Sequence, residues 1–120
     1  MEYVASDDYE TTEATEYGLE GVHLAEILTA AGTTLQYFRL DPGASVPAHS
    51  HPDGQAGYVV DGVYTIEVES KSFRVGPGEA YALSGREVHA TVNNGSEPIE
   101  GIDVFHPPRE TNWHDDAHEQ

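Results

Sequence analysis

Two histidines one residue apart, His49 and His51, stand in the run Gly43-Ala-Ser-Val-Pro-Ala-His49-Ser-His51-Pro-Asp-Gly-Gln55. Residues i and i+2 of a strand point to one face, so the pair can present two imidazoles to one point in space. Pro52-Asp53-Gly54 has turn chemistry and would bring Gln55 back beside them. Imidazole is the commonest protein ligand for metals, and the chemistry this arrangement offers is one wall of a metal site. Taken alone, the two histidines fit an exposed loop equally well. A further imidazole, His89, lies about forty residues on, on a separate predicted strand. With it the set becomes three imidazoles and one amide oxygen: His49, His51, Gln55 and His89.

The elements that must position these residues read as strands. Val22 to Leu28 is ambiguous between strand and short helix, Ala30-Ala31-Gly32 is a turn, and Thr33 to Leu40 is rich in β-branched and aromatic residues. Strands are expected over Gln55 to Val60, Val63 to Glu69, Lys71 to Val75, Glu79 to Leu83, Val88 to Asn93 and Pro98 to Phe105. Asp61-Gly62, Gly76-Pro77-Gly78 and Asn94-Gly95 punctuate them. Many short strands between Gly/Pro turns mean an all-β sandwich or barrel. The parity that turns Gln55, His89 and Asp103 inward also turns Val59, Thr91 and Phe105 inward. Tyr58, Val60, Val88, Val92, Ile102 and Val104 then face out, and so apolar an outer face predicts a homodimer.

The chain has 120 residues, which suits one domain. Residues 1–20 hold seven acids and no Lys or Arg and are expected to form an acidic, partly mobile arm. The barrel is expected over 21–106 and a polar tail over 107–120. No cysteine is present, so thiolate ligands and disulfides are excluded. The net charge of -17, from 22 acids against five Lys or Arg, argues against a nucleic-acid partner, whose phosphates it would repel. Its self-repulsion fades where the screening length falls to roughly 3 Å, near 1 M salt, so a halophilic source is expected. No apolar run is long enough to span a membrane, and the N-terminus lacks the features of a signal peptide. A cytoplasmic protein without membrane partners is expected.

These residues resemble the cupin superfamily, whose fold is a double-stranded β-helix, the jelly roll. Its first motif is G-x5-H-x-H-x3-E-x6-G; Gly43, His49, His51 and Gly62 match, with Gln55 in the glutamate position. Its second is G-x5-P-x-G-x2-H-x3-N; Gly78, His89 and Asn93 match, while Ser84 and Arg86 replace the proline and glycine. The resemblance implies one divalent ion (Zn, Ni, Mn, Fe or Co) on His49, His51, Gln55 and His89. With a neutral amide in place of a carboxylate, the ion keeps its full charge, binds less tightly and is a stronger Lewis acid.

The ending Gly101-Ile-Asp103-Val-Phe105-His-Pro-Pro-Arg109-Glu110 adds an acid and an aromatic on one face of the last strand, then an arginine. An acid pointing into a barrel is costly unless it has a partner or a task. This ending, with His-Ser-His-Pro-x-x-Gln, looks like the small cupins of the KdgF type, which open the ring of 4,5-unsaturated monouronates from pectin and alginate. In that resemblance Asp103, Phe105 and Arg109 line the active site. Asp103 would move a proton, Phe105 would pack on the sugar ring, and Arg109 would hold its carboxylate. Thr111-Asn112-Trp113 departs from the Asp-Phe-Leu common there. The implied partner is a small sugar acid. Another cupin enzyme, such as a metal-dependent dioxygenase, and a non-catalytic metal- or sugar-binding cupin remain open alternatives. Arg39 would face either the pocket or surface acids. Tyr37, Tyr58, Tyr64 and Tyr81 read as packing residues. His23, His106, His114 and His118 lack ligand register.

Overall fold

A computed structural model describes residues 1–108. It contains ten strands: β1 (Thr12–Glu13), β2 (Val22–Ala30), β3 (Thr33–Leu40), β4 (Ser45–His49), β5 (Gly54–Asp61), β6 (Tyr64–Val68), β7 (Lys71–Val75), β8 (Ala80–Leu83), β9 (His89–Val92) and β10 (Ile99–His106). Every pairing is antiparallel. One sheet runs β1-β2-β3-β10-β5-β8 and the other β4-β9-β6-β7, the two faces of a jelly roll. The ambiguous stretch from Val22 is strand β2. A register shift between Glu26 and Leu28 breaks its alternation and hides its period in the sequence.

Register explains how the larger sheet sorts its inward side chains into rows. At one end lie Leu40 and Ile99, then Phe38, Gly101 and Val59, all buried and all but glycine strongly apolar. Fully burying each such large side chain stabilises the fold by about 1.5–3 kcal/mol. Gly101 is bare because a β carbon there would come within 2.5 Å of the Phe38 ring. The next row holds Gln36, Asp103, Gly57 and Tyr81, and the last Thr34, Phe105, Gln55 and Leu83. The interior thus grades from an apolar floor to a polar end, and the candidate ligands sit at that polar end.

The acidic N-terminal segment is not free along its length. Thr12 and Glu13 pair with Leu24 and His23, and Ala14 and Leu19 join the core at 6% and 8% exposure. The Gly21 amide donates to Glu13 at 2.7 Å. The acids of this stretch, Glu10, Glu13, Glu16 and Glu20, remain exposed. Tyr17 packs against the same cluster, and together with the β1–β2 pairing these few apolar residues dock the segment, so the core begins before residue 21.

The expected outward set does face out. Tyr58, Val60 and Val88 are about half exposed, and pairing places Tyr37, Ile102 and Tyr58 in one outer row and Leu35, Val104 and Ala56 in the next.

The connection before β9 shows what the two motif departures do. Arg86 adopts φ +67°, a left-handed conformation that favours glycine, the residue the motif expects there. Its amide donates to the His51 carbonyl at 2.6 Å, so the turn stays tied to the ligand loop. Arg86→Gly is expected to stabilise the protein by about 0.5–1 kcal/mol, the steric relief outweighing the added freedom of the unfolded chain. Thermal unfolding checks this; a lower midpoint would contradict it.

Candidate metal centre

β4 delivers His49 inward through an irregularity. Val46 opposes Thr91 and His49 opposes His89, so the register slips by one residue between Val46 and His49. Without that bulge, next to Pro47, Val46 and His49 would lie on opposite faces. His51 lies beyond the end of β4, in the loop before β5. Loop geometry, rather than strand alternation, therefore aims His51 at His49.

The three imidazoles are buried at 3%, 2% and 3% exposure for His49, His51 and His89. Each offers a ligand nitrogen, all within 4.8 Å of one another. Each Nδ1 contacts a backbone carbonyl: Pro47 at 2.9 Å, Asp53 at 3.0 Å and Glu87 at 2.9 Å respectively. A carbonyl only accepts, so each Nδ1 carries the proton and each Nε2 keeps a lone pair. Fixing the tautomer through the second nitrogen is how proteins orient metal-binding imidazoles. His51 Nε2 lies 3.1 Å from Gln55 Oε1. At that distance the ring nitrogen and the amide oxygen can share either a proton or a metal ion. Two ligands bound at about 2.1 Å and at right angles to each other are about 3 Å apart. The residues present therefore fit a divalent ion, with Gln55 as fourth ligand. Phe105, fully buried, packs edge-on to His51 with ring centroids 5.6 Å apart. Its ring has no exposed face for a sugar; it braces a ligand instead.

The enclosed cavity, of about 20 Å³, is lined by His49, Gln55, His89, Tyr81 and Asp103, over an apolar floor including Phe38 and Leu40. A water needs at least about 10–15 Å³, so the space suits an ion with little else. Asp103 is 4% exposed and accepts a hydrogen bond from the Tyr81 hydroxyl. Burial, and then the Asp103 carboxylate, push the Tyr81 phenol well above the usual tyrosine value, and the same two causes act on Tyr64. A raised folded-state pKa contributes stability below the unfolded value that is lost as pH rises beyond it. Unfolding is thus expected to become easier above about pH 10, less steeply in Tyr64→Phe. Denaturant titrations at pH 8 and 11 measure this; equal steepness in the two proteins would contradict it.

Arg109, Trp113, His114 and His118 lie outside the described residues, as does most of the expected tail. Arg39 is on the outer face with His23 and Asp41, its Nε 3.5 Å from Asp41 Oδ1. It does not reach the cavity. His106 is exposed and held to the Gly32 carbonyl at 2.8 Å. Asn93 of the second motif is a turn builder, donating to the Leu40 and Glu97 carbonyls at 3.0 and 2.8 Å. Sequence reading missed Tyr81 and Tyr64 as cavity residues. The usable signal was Tyr81's inward parity with Leu83 on β8.

The family model for the cupin domain matches residues 36–105. An L-ectoine synthase of Bordetella petrii is 33% identical over 69 residues, which cover 56% of this chain and 51% of that protein. The match thus spans about half of that relative's length. Among solved structures, KdgF from Halomonas sp. superposes with a TM-score of 0.78 at 22% identity, covering 92% of this chain and 96% of that one. The polyketide cyclase RemF from Streptomyces resistomycificus does so at 0.77 and 24% identity, covering 99% and 91%. At such identities the superpositions establish shared architecture. The cupin-domain match over residues 36–105, carried on a jelly roll whose motif histidines converge, makes this chain a member of the cupin family.

Proposed function

We propose that this protein is a metal-dependent enzyme that opens and isomerises 4,5-unsaturated monouronates to linear keto acids. The observation that carries the reading is a buried carboxyl, Asp103, on the wall of the cavity that Gln55 and two of the three clustered imidazoles, His49 and His89, also border. A site that only stores metal has no use for an acid it does not employ as a ligand. When bound, a divalent ion on His49, His51, Gln55 and His89 supplies Lewis acidity toward a substrate oxygen. Asp103 moves a proton as the hemiacetal opens and the enol becomes a ketone, with no net redox change. The cavity admits only the reacting atoms, so the rest of the sugar lies outside it, toward the barrel end where β10 finishes. Arg109 follows β10 by three residues in the sequence, and we assign it the substrate carboxylate. Loss of the conjugated-alkene absorbance of an unsaturated monouronate, tested with and without chelator, decides the reading. The partial match to a synthase supports a second reading, another metal-dependent cupin enzyme. Oxygen uptake without loss of the uronate signal would select its dioxygenase form.

We also propose that a second copy of the chain docks on the outer face of the larger sheet. The rows Tyr37-Ile102-Tyr58 and Leu35-Val104-Ala56 carry no charge. In a chain of net charge -17 they form an uncharged strip on which two copies can meet, beside the Glu100 carboxylate that the Tyr37 hydroxyl binds at 2.6 Å. Light scattering after size exclusion in concentrated KCl is expected to give twice the chain mass, and Tyr58→Glu/Val60→Glu the single mass. A monomeric wild-type protein at high concentration would contradict this.

A further inference from the structure

Gly57 sits directly opposite Asp103 on one neighbouring strand and Tyr81 on the other. The three belong to one inward row, with the glycine in the middle. A β carbon at Gly57 would overlap the Tyr81 phenol and lie 2.5 Å from Asp103 Oδ1. The missing side chain therefore opens a notch. Through it the Tyr81 side chain crosses β5, and its hydroxyl donates to Asp103 Oδ1. The ring is held from a second side by Tyr64, with centroids 5.7 Å apart, and Tyr64 stacks on Phe38 at 5.1 Å.

Tyr81 also stands between two voids. The inner one is the metal-side cavity of about 20 Å³. The outer one is a cleft of about 680 Å³ between the β6–β7 hairpin and β8. Ile66, Tyr81 and Leu83 border both, so they form the partition between them. The cleft also carries the exposed Phe73 and Lys71, with Glu69, Glu79 and Glu87. A carboxyl group turns easily about its terminal torsion, which has broad wells. An acid meant to exchange a proton with a substrate atom needs that rotation stopped.

We propose that Tyr81 is a positioning residue: through the notch at Gly57 it fixes the Asp103 carboxyl at the metal cavity and walls that carboxyl off from the outer cleft. The assignment rests on the reading of Asp103 as the proton-moving group. Its raised phenol pKa, due first to burial and then to Asp103, agrees with a protonated donor at neutral pH.

The test uses the full chain loaded with zinc, in the wild type and in Tyr81→Phe, Asp103→Asn and the double variant. Phe keeps the ring and its contact with Tyr64. Tyr81→Phe is expected to lower kcat on an unsaturated monouronate by about 10–100-fold, as for a lost hydrogen bond to a charged group, with KM within about twofold and metal content unchanged. Added to Asp103→Asn it is expected to cost almost nothing more. An equal loss in both backgrounds would overturn the proposal, as would loss of the metal. A second readout does not depend on turnover: the carboxyl-carbon resonance of Asp103, assigned by its absence in Asp103→Asn. It is expected to move in Tyr81→Phe; an unmoved resonance would overturn the proposal. If the wild type does not open uronates, the functional reading fails, and this resonance alone decides whether Tyr81 holds Asp103.

Discussion

Asp103→Asn is expected to reduce turnover of an unsaturated monouronate by about 10³-fold, inside the 10²–10⁴ range typical of a positioned acid–base group. The substitution preserves shape, and an amide oxygen still accepts the Tyr81 hydrogen bond. It removes the negative charge and with it the capacity to exchange a proton. The position is 4% exposed, which limits solvent access to it. Zinc content and thermal midpoint should stay close to wild type, and KM should change little, because the lost interaction belongs to the transition state. Steady-state kinetics beside metal analysis separates these quantities. Retained turnover would show that Asp103 is a structural acid.

Removing one ligand should have the other large effect. His51→Ala is expected to lower metal affinity by at least about 100-fold, since even the partners that orient a ligand are worth 10–100-fold. It also removes the ring against which Phe105 packs, so the apo variant should unfold more easily than apo wild type. In wild type, a metal at 100 times its Kd adds about 2.7 kcal/mol of stability, and a chelator should abolish that increment. His51→Ala should show no chelator-dependent shift. Gln55→Glu should act in the opposite direction. A carboxylate 3.1 Å from His51 Nε2 would add a charge to the site, tighten binding and weaken the ion as a Lewis acid. Calorimetric titration of the apo proteins with zinc gives the three affinities. Equal affinity for wild type and His51→Ala would mean that the triad is not the binding site.

How far the residues alone revealed this arrangement depended on how local each determinant was. Turn signals such as Asp61-Gly62 are local, and Gly62 does adopt φ +80°, with the Pro98 carbonyl where a side chain would be. The strands they separate were therefore legible, as was the convergence of His49, His51 and His89. Strand alternation does not account for His51, which lies in a loop. The one-residue slip that turns His49 inward leaves no mark on the local pattern. Docking of the acidic segment rests on a few apolar residues, Ala14, Tyr17 and Leu19, and a two-residue strand, which its charge obscures. The Tyr81–Asp103 link could not be read at all. It depends on β8, β5 and β10 being neighbours in that order, and on the absence of a side chain at Gly57 between them.

In the proposed reaction a metal and Asp103 act together on an unsaturated uronate. The most direct measurement is ultraviolet absorbance of a 4,5-unsaturated monouronate incubated with the zinc-loaded protein in concentrated KCl, with and without chelator. Rapid loss of the conjugated-alkene signal is expected, stopped by the chelator and absent in Asp103→Asn. Decay at the uncatalysed rate, with zinc confirmed bound, would contradict it.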